Sequence, residues 1–434
     1  MSVATQPHRL WRNRRYLTWL VSDTSKGLAA SLFGFAIPLL ALIVTNDPAQ
    51  AGIIGGAGMV ARLLMTLAGG ILADRHRRIA LMLLGSLIGI VLAGGFTLLA
   101  LGDALTFSSL LVIDILLAAR SGLFDVAGES AIKEIVPDEA MGRAQAANQG
   151  RDAALQLAGG PIGGLLLAVG GWLVGVAMTA CHLVAAVTAW MLGRDARRAG
   201  IVDAGAESDR EPGAPEEKTA PNAWAELREG FGWLMSRPDL GGVLLIITII
   251  NLGFNAAVTT VIYSLQQEGY PEVLIGGMTA AVGAVMLVGA IVAPLLVPRF
   301  RAGILAIVGL STAAAGAVAL SMVTEPWAIV AVLGAAVLML PALNAGMMGY
   351  FMVATPTELL GRANSAAGVL GMGALPLAPL IAGFGLTWVG REWTLLICAG
   401  LCLIAVALAL GNRALRALPV EAQWAAHAKQ YESA

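Results

Sequence analysis

The sequence predicts an all-α membrane protein with twelve transmembrane helices in two pseudo-symmetric six-helix bundles. Three observations carry this. Hydrophobic residues make up 58% of the chain and charged residues 13%, with a mean hydropathy of +0.78. A water-soluble chain of 434 residues needs a far more polar surface. Apolar runs of membrane-crossing length recur twelve times, six on either side of a polar stretch. One pattern, P-x-E-x-x-G-R-A, stands before the fifth run of each set, at Pro137 to Ala144 and again at Pro356 to Ala363. A parallel repeat of two six-helix halves accounts for all three.

Each element follows from local chemistry. Arg9, Arg12, Arg14 and Arg15 are interleaved with Trp11 and Tyr16, as expected at a cytoplasmic membrane interface. The first run, about 17–44, is longer than the roughly 7–15 residues of a signal-peptide core. Runs at about 50–73, 79–101, 107–133, 144–169 and 172–192 complete the first set. Each reaches the roughly 20 residues that cross a bilayer. The apolar pattern stops at Gly193. The next stretch, rich in Asp, Glu, Arg, Pro, Gly and Ala, cannot bury a core and reads as a flexible linker. Beyond Pro221 and Asn222, Trp224, Leu227, Phe231 and Leu234 recur at helical spacing, with Glu226, Arg228 and Glu229 between them. That pattern predicts a short amphipathic helix on the inner membrane face. The second set covers about 239–265, 274–297, 302–323, 326–352, 364–389 and 392–412. The expected organisation is a first bundle over 1–192, a cytoplasmic linker with its helix over 193–238, a second bundle over 239–412 and a cytoplasmic tail over 413–434.

Charge sets the orientation. Of the 27 Lys and Arg, 22 fall in segments on one side of this arrangement, Arg391 alone on the other, and four inside the runs. Such a bias puts both termini and the linker in the cytoplasm of a multi-pass protein of the cell inner (plasma) membrane. A net charge of -1 argues against a nucleic-acid partner. Cys181, Cys398 and Cys402 lie in apolar runs and read as small buried hydrophobes, not a disulfide framework. Four unclustered histidines offer no metal site. No G-x-x-x-x-G-K-[ST] loop occurs, so ATP is not the expected energy source. No interfacial cluster of His, Asp or Cys suggests an enzyme.

Gly69 to Arg78, reading GGILADRHRR, joins the second and third runs. It resembles the loop signature G-x-L-a-D-r-x-x-R-[RK] of the major facilitator superfamily. Gly70, Leu72, Asp74, Arg75 and Arg78 match, and Ile79 replaces the last basic residue. In the fifth run, Gly160-Pro161-Ile162-Gly163-Gly164 resembles the G-P-x-x-G-G motif of antiporters. Gly160, Pro161 and Gly164 fit; Leu165 stands at the last glycine position and Gln156 at an earlier one. Glycines also serve plain helix packing, and proline a bend, so both readings stay open. With N-R-x-Y before the first helix and V-P-x-E-x-x-G-R-A before the fifth, the chain resembles the drug and siderophore exporters of that superfamily, a branch with macrolide-efflux and enterobactin-exporter relatives. The resemblance implies proton-coupled export, by antiport, of an amphipathic small molecule such as a drug or siderophore. It implies the proton gradient, not a cofactor, as energy source, and a monomer whose partners are the bilayer, its substrate and protons. It also implies that the loop holding Gly70, Asp74, Arg75 and Arg78 acts as a conformational latch. Asp125 and Glu129, near the inner end of the fourth helix, are expected to partner the loop arginines.

The chemistry is read from charges at membrane depth. Each costs at least about 2.5–3.5 kcal/mol at the bilayer centre, so it must be paired or face a wet cavity. Asp23 and Lys26 lie one turn apart on helix 1, Arg62 on helix 2, Asp114 and Arg120 on helix 4, and Arg151 and Asp152 on helix 5. Beyond residue 239 the buried polar groups are neutral: Asn251, Asn255, Tyr263, Asn344 and Tyr350. The expectation is a charged wall in the first half and a mostly apolar second half. Asp23, Asp114 and Asp152 are the proton-coupling candidates. Lys26, Arg62, Arg120 and Arg151 supply cavity charge, and Asn251, Asn255 and Asn344 cavity polarity. Some pairs could instead lock helices together. A lipid or lysolipid transporter, or an importer, is the alternative on the same fold, because an apolar half-cavity suits an acyl chain. A transport-dead membrane sensor should have lost these charges.

Overall fold

A computed structural model describes residues 10–198, 223–237, 239–356 and 359–431. Among the described residues all regular structure is helical. The first set comprises α1 (Arg14–Thr45), α2 (Pro48–Arg75), α3 (Arg78–Leu101), α4 (Phe107–Ala131), α5 (Asp138–Val169) and α6 (Gly171–Arg198). The amphipathic helix is α7 (Ala223–Ser236). The second set is α8 (Gly241–Gln267), α9 (Glu272–Leu296), α10 (Ala302–Leu320), α11 (Pro326–Val337) with α12 (Leu340–Ala354), α13 (Leu360–Gly373) with α14 (Leu377–Trp388), and α15 (Gly390–Gly411). Two short helices follow, α16 (Arg413–Ala417) and α17 (Trp424–Lys429). Eleven stretches among the described residues are long and apolar enough to cross a membrane. The twelfth span is α4, which carries Asp114, Arg120, Asp125 and Glu129 along its length. The expected flexible linker lies, from residue 199 to 222, outside the described residues, as do the side chains of Trp224 and Leu227.

Helix ends follow their residues. The Asn13 side chain accepts from the backbone N–H groups of Arg15 and Tyr16 and caps α1. Asn46, at φ 49°, turns left-handed and stops it. Asn is one of the few side chains at ease there. Two spans expected to run unbroken do not. The seventh-to-twelfth set breaks at Leu338 and Met339, just before Pro341, and again between Gly373 and Leu377, around Pro376. A proline lacks an N–H, so it cannot donate to the carbonyl one turn before it and the helix ladder is interrupted there. Pro38, Pro161 and Pro294 sit inside helices that continue through them.

Contacts divide the chain into two compact units. One holds Met1–Asn46, Ala57–Glu216 and Pro271–Gly277; the other holds Asp47–Gly56, Glu217–Tyr270 and Met278–Ala434. These limits differ from the sequence-based ones at two short segments, at α7 and at the C-terminal tail, the last two of which join the second unit. Small residues explain the two segments. In the first unit, a Cβ at Gly276 would collide with the carbonyl of Gly160, and one at Gly164 with that of Glu272. In the second, a Cβ at Gly52 would collide with the carbonyl of Pro379. Side chains there would prevent backbone-to-backbone approach.

Within the first unit, α3 packs on α6 and α4, and α1 on α5 and α6. A cluster around Tyr16, Trp19, Met82, Ile132, Ala144 and Leu192 fills the end of the unit where α1 begins. Within the second unit, α8 packs on α14 and α15, and α10 on α11, α12 and α15. There α7 lies on α13: Gly230 meets the backbone of Arg362, and the Arg362 guanidinium donates to Glu229 at 2.8 Å. Just before α8, Asp239 is fully buried. Arg237 donates to it twice, at 2.9 Å and 2.9 Å, and the Tyr350 hydroxyl once, at 2.6 Å. The ring of His427, on α17, lies 2.9 Å from the same hydroxyl. The tail is therefore docked on the second unit through a polar network, not left free.

Candidate functional site: a charged cavity in the first unit

Asp23 and Lys26 are one turn apart because α1 is helical through them, and their ion pair closes at 3.0 Å. Both are buried. Arg151 reaches from α5 to the other oxygen of Asp23 at 2.8 Å and also holds its neighbour Asp152 at 2.7 Å. The Arg151 guanidinium lies over the Trp19 ring, 5.8 Å from its centroid, a placement that favours a cation. Trp19 itself donates to the Gly128 carbonyl at 2.9 Å and ties α1 to α4. A Cβ at Gly128 would crowd Lys26 Nζ and the Asp23 carboxylate, so the glycine leaves room for their ion pair. On α4, Asp125 accepts from Ser121 and lies 3.9 Å from Lys26 and 4.0 Å from Arg120. These groups border a cavity of about 220 Å³. Its walls are Asp23, Lys26, Gly27, Ala30 and Ser31 of α1, Arg62 of α2, Asp125 and Glu129 of α4, and Arg151, Asp152, Leu155 and Gln156 of α5.

The structure brings together five of the residues singled out as coupling or cavity charges: Asp23, Lys26, Arg62, Arg151 and Asp152. It leaves two out. Arg120 turns away to α3, donating to the Gly85 carbonyl at 3.3 Å, and is buried. Asp114 is buried against α2, where a Cβ at Gly58 would collide with its carboxylate, and one of its oxygens has no hydrogen-bond partner. Asp125 and Glu129 also depart from expectation. They are one turn apart on the α4 face that borders the cavity, and do not partner the loop arginines. Arg78 pairs instead with Glu134, just after α4, at 3.1 Å. The side chain of Asp74 lies outside the described residues; Arg75 is exposed. Gly70 has open space where a side chain would go, whereas Gly69 meets the backbone carbonyls of Gly122 and Leu123 on α4. In the second unit, Asn251 donates to the Gly371 carbonyl at 3.3 Å and so serves packing between α8 and α13. Asn255 and Asn344 are exposed. Ser31 and Gln156 were not singled out in the sequence. Gln156 carried a signal, as a polar side chain where a glycine was expected.

A helical membrane protein of two units, one holding an ion-paired cavity among helices long enough to cross a bilayer, has the build of a polytopic transporter. The chain belongs to the Major Facilitator Superfamily, whose family description matches residues 24–376. The enterobactin exporter EntS of Escherichia coli O127:H6 (strain E2348/69 / EPEC) is 29% identical over 407 residues, covering 86% of this chain and 89% of that protein. Among solved structures, a bacterial homologue of the iron transporter ferroportin, in its inward-facing state, superposes with a TM-score of 0.69 at 14% identity, over 92% of this chain and 98% of its own. The nucleoside transporter NupG superposes with a TM-score of 0.65 at 10% identity, over 91% and 100%. At such identities these two structures share the fold alone. Among the described residues, no group of three or more His, Cys, Asp and Glu is placed to hold a metal ion.

Proposed function

We propose that this transporter exports an amphipathic small molecule, of the drug or siderophore kind, in exchange for protons. Its energy source is the proton gradient across the cell inner membrane, with no cofactor, and it works as a monomer with both termini in the cytoplasm. The observation that carries the reading is the concentration of paired and unpaired charge around one cavity of the first unit. A transporter that only packed its helices would not maintain seven charged groups around a wet space, given what each costs in a membrane. The likeness to an enterobactin exporter over most of both chains supports the outward direction and the substrate class.

Asp23 is held between two cations, at 3.0 Å and 2.8 Å, and so serves as an anchor between α1 and α5. Coupling therefore belongs to a carboxyl of the same cavity that is less firmly answered. The test begins with purified protein screened for thermal stabilisation by siderophores, antibiotics and lysolipids, since a native-state ligand raises the melting temperature. The stabilising compound is then followed into inverted vesicles with and without an imposed pH gradient. Accumulation that collapses with the gradient is the expected result. Accumulation indifferent to the gradient, or stabilisation by lysolipid alone, would overturn it.

A further inference from the structure

The ion pairs of the cavity leave two charges unspent. Asp23 is answered by Lys26 and Arg151, Asp152 by Arg151, and Asp125 by Lys26, Arg120 and the Ser121 hydroxyl. Arg62 and Glu129 line the same cavity, and neither has an ion-pair partner among the described residues. Both side chains are open to the cavity or to solvent. Glu129 is set among like charges. Asp23 faces it from α1, Asp152 from α5, and Asp125 lies one turn away on its own helix, against Lys26, Arg62 and Arg151.

We propose that Glu129 is the site at which a proton and a cationic group of the substrate replace one another. The sign follows from the lining. With Glu129 ionised, the cavity holds four carboxylates and three cations; with Glu129 protonated, three of each. The ionised cavity attracts a cation and the protonated one does not, so proton and cation exclude each other. An anion would behave oppositely: it would bind best beside Arg62 when Glu129 is protonated, and proton and anion would travel together. Exchange transport requires exclusion, because the incoming proton must release the outgoing ligand. The inference thus rests on the antiport reading, and it narrows the substrate to one bearing an amine or other cationic centre. Arg62, as the opposing unspent charge, penalises a ligand with two cationic ends.

Tetraphenylphosphonium and tetraphenylborate are suitable probes, being amphipathic ions of one shape and opposite charge. Binding to the purified protein is measured by equilibrium dialysis between pH 5.5 and 8. For the cation, the expected affinity rises with pH. It falls about tenfold or more in Glu129→Gln, where the attraction at short range in a partly buried site is lost. It rises in Arg62→Gln, and the conservative Glu129→Asp keeps the pH dependence. The borate should show the reverse dependence on pH. Cation binding that ignores pH, that survives in Glu129→Gln, or that is absent in the wild type overturns the assignment. If the wild type accumulates substrate on a pH gradient and Glu129→Gln does so equally, this inference fails and the export reading stands. If the wild type shows no gradient dependence, the export reading fails, while proton–cation competition in dialysis still decides whether Glu129 is the shared site.

Discussion

Asp23 and Asp114 are both buried carboxylates of the first unit, yet their surroundings differ in kind. Asp23 is shared by Lys26 and Arg151. Asp114 has no ion pair among the described residues, and one of its oxygens lacks a partner. Removing one member of a buried ion pair costs about 3–5 kcal/mol, because the remaining charge stays buried and unanswered. Asp23→Asn takes the shared acid from Lys26 and Arg151, leaving Lys26 only Asp125 at 3.9 Å and Arg151 only Asp152, so its melting temperature should drop well below that of the wild type. Asp114→Asn exchanges an unpaired carboxyl for a neutral group of the same shape and should melt at or above the wild-type temperature. Differential scanning of the two variants in one detergent checks both. Equal loss in both would mean that the Asp23 cluster contributes no more than ordinary polar packing.

The C-terminal helix α17 is held by one network, and its response to pH can be worked out. Burial alone would raise the Asp239 carboxyl, but the bonds from Arg237 and Tyr350 outweigh it and hold the group below its usual range. Burial lowers the His427 imidazole; Asp239 pulls it up and Arg237 pushes it down, with a net lowering. The Tyr431 ring lies against the imidazole at a tilt of 53°, centroids 5.4 Å apart. A histidine whose docked form prefers to be neutral stabilises docking at neutral pH. It stops doing so as pH falls through its ordinary value of about 6.5, because the undocked form gains the proton. Asp239 loses its contribution only in far stronger acid. Hydrogen exchange over residues 421–431, corrected for intrinsic rates, should therefore show a looser tail at pH 5.5 than at pH 7.5. His427→Asn keeps a donor toward Tyr350 without a titrating ring, and should hold the tail equally at both pH values. A variant as pH-sensitive as the wild type would assign the effect elsewhere.

Across the whole molecule, 22 of the 27 basic residues gather on one side of the expected topology. The one on the other side, Arg391, is spent on structure: it donates to the Val323 carbonyl at 2.6 Å. In a background lacking Cys181, Cys398 and Cys402, Gly102→Cys and Glu268→Cys should react with an impermeant thiol reagent applied outside intact cells. Ala214→Cys and Arg299→Cys should react only after permeabilisation. The opposite pattern would invert the orientation and with it the direction of export.

Hydropathy, the polar interruption and the repeated P-x-E-x-x-G-R-A were enough to specify twelve spans in two sets, because a bilayer imposes length and apolarity on each span separately. The same local logic placed the amphipathic α7 and the Asp23–Lys26 pair, both set by spacing within one helix. Partners between helices were not legible, since they depend on how each helix is rotated and how deep it lies. That rotation turned Arg120 toward α3 and Glu129 into the cavity, gave Asp125 to Lys26, and made Gly69, not Gly70, the glycine that meets α4. It also decided that Arg151 clamps Asp23 while Arg62 and Glu129 remain unanswered. One sequence records which charges a membrane protein carries into the bilayer. Only the packed helices decide which of them are already neutralised by a neighbour, because Coulomb pairing falls off within a few ångströms and neighbours in space are not neighbours in the chain.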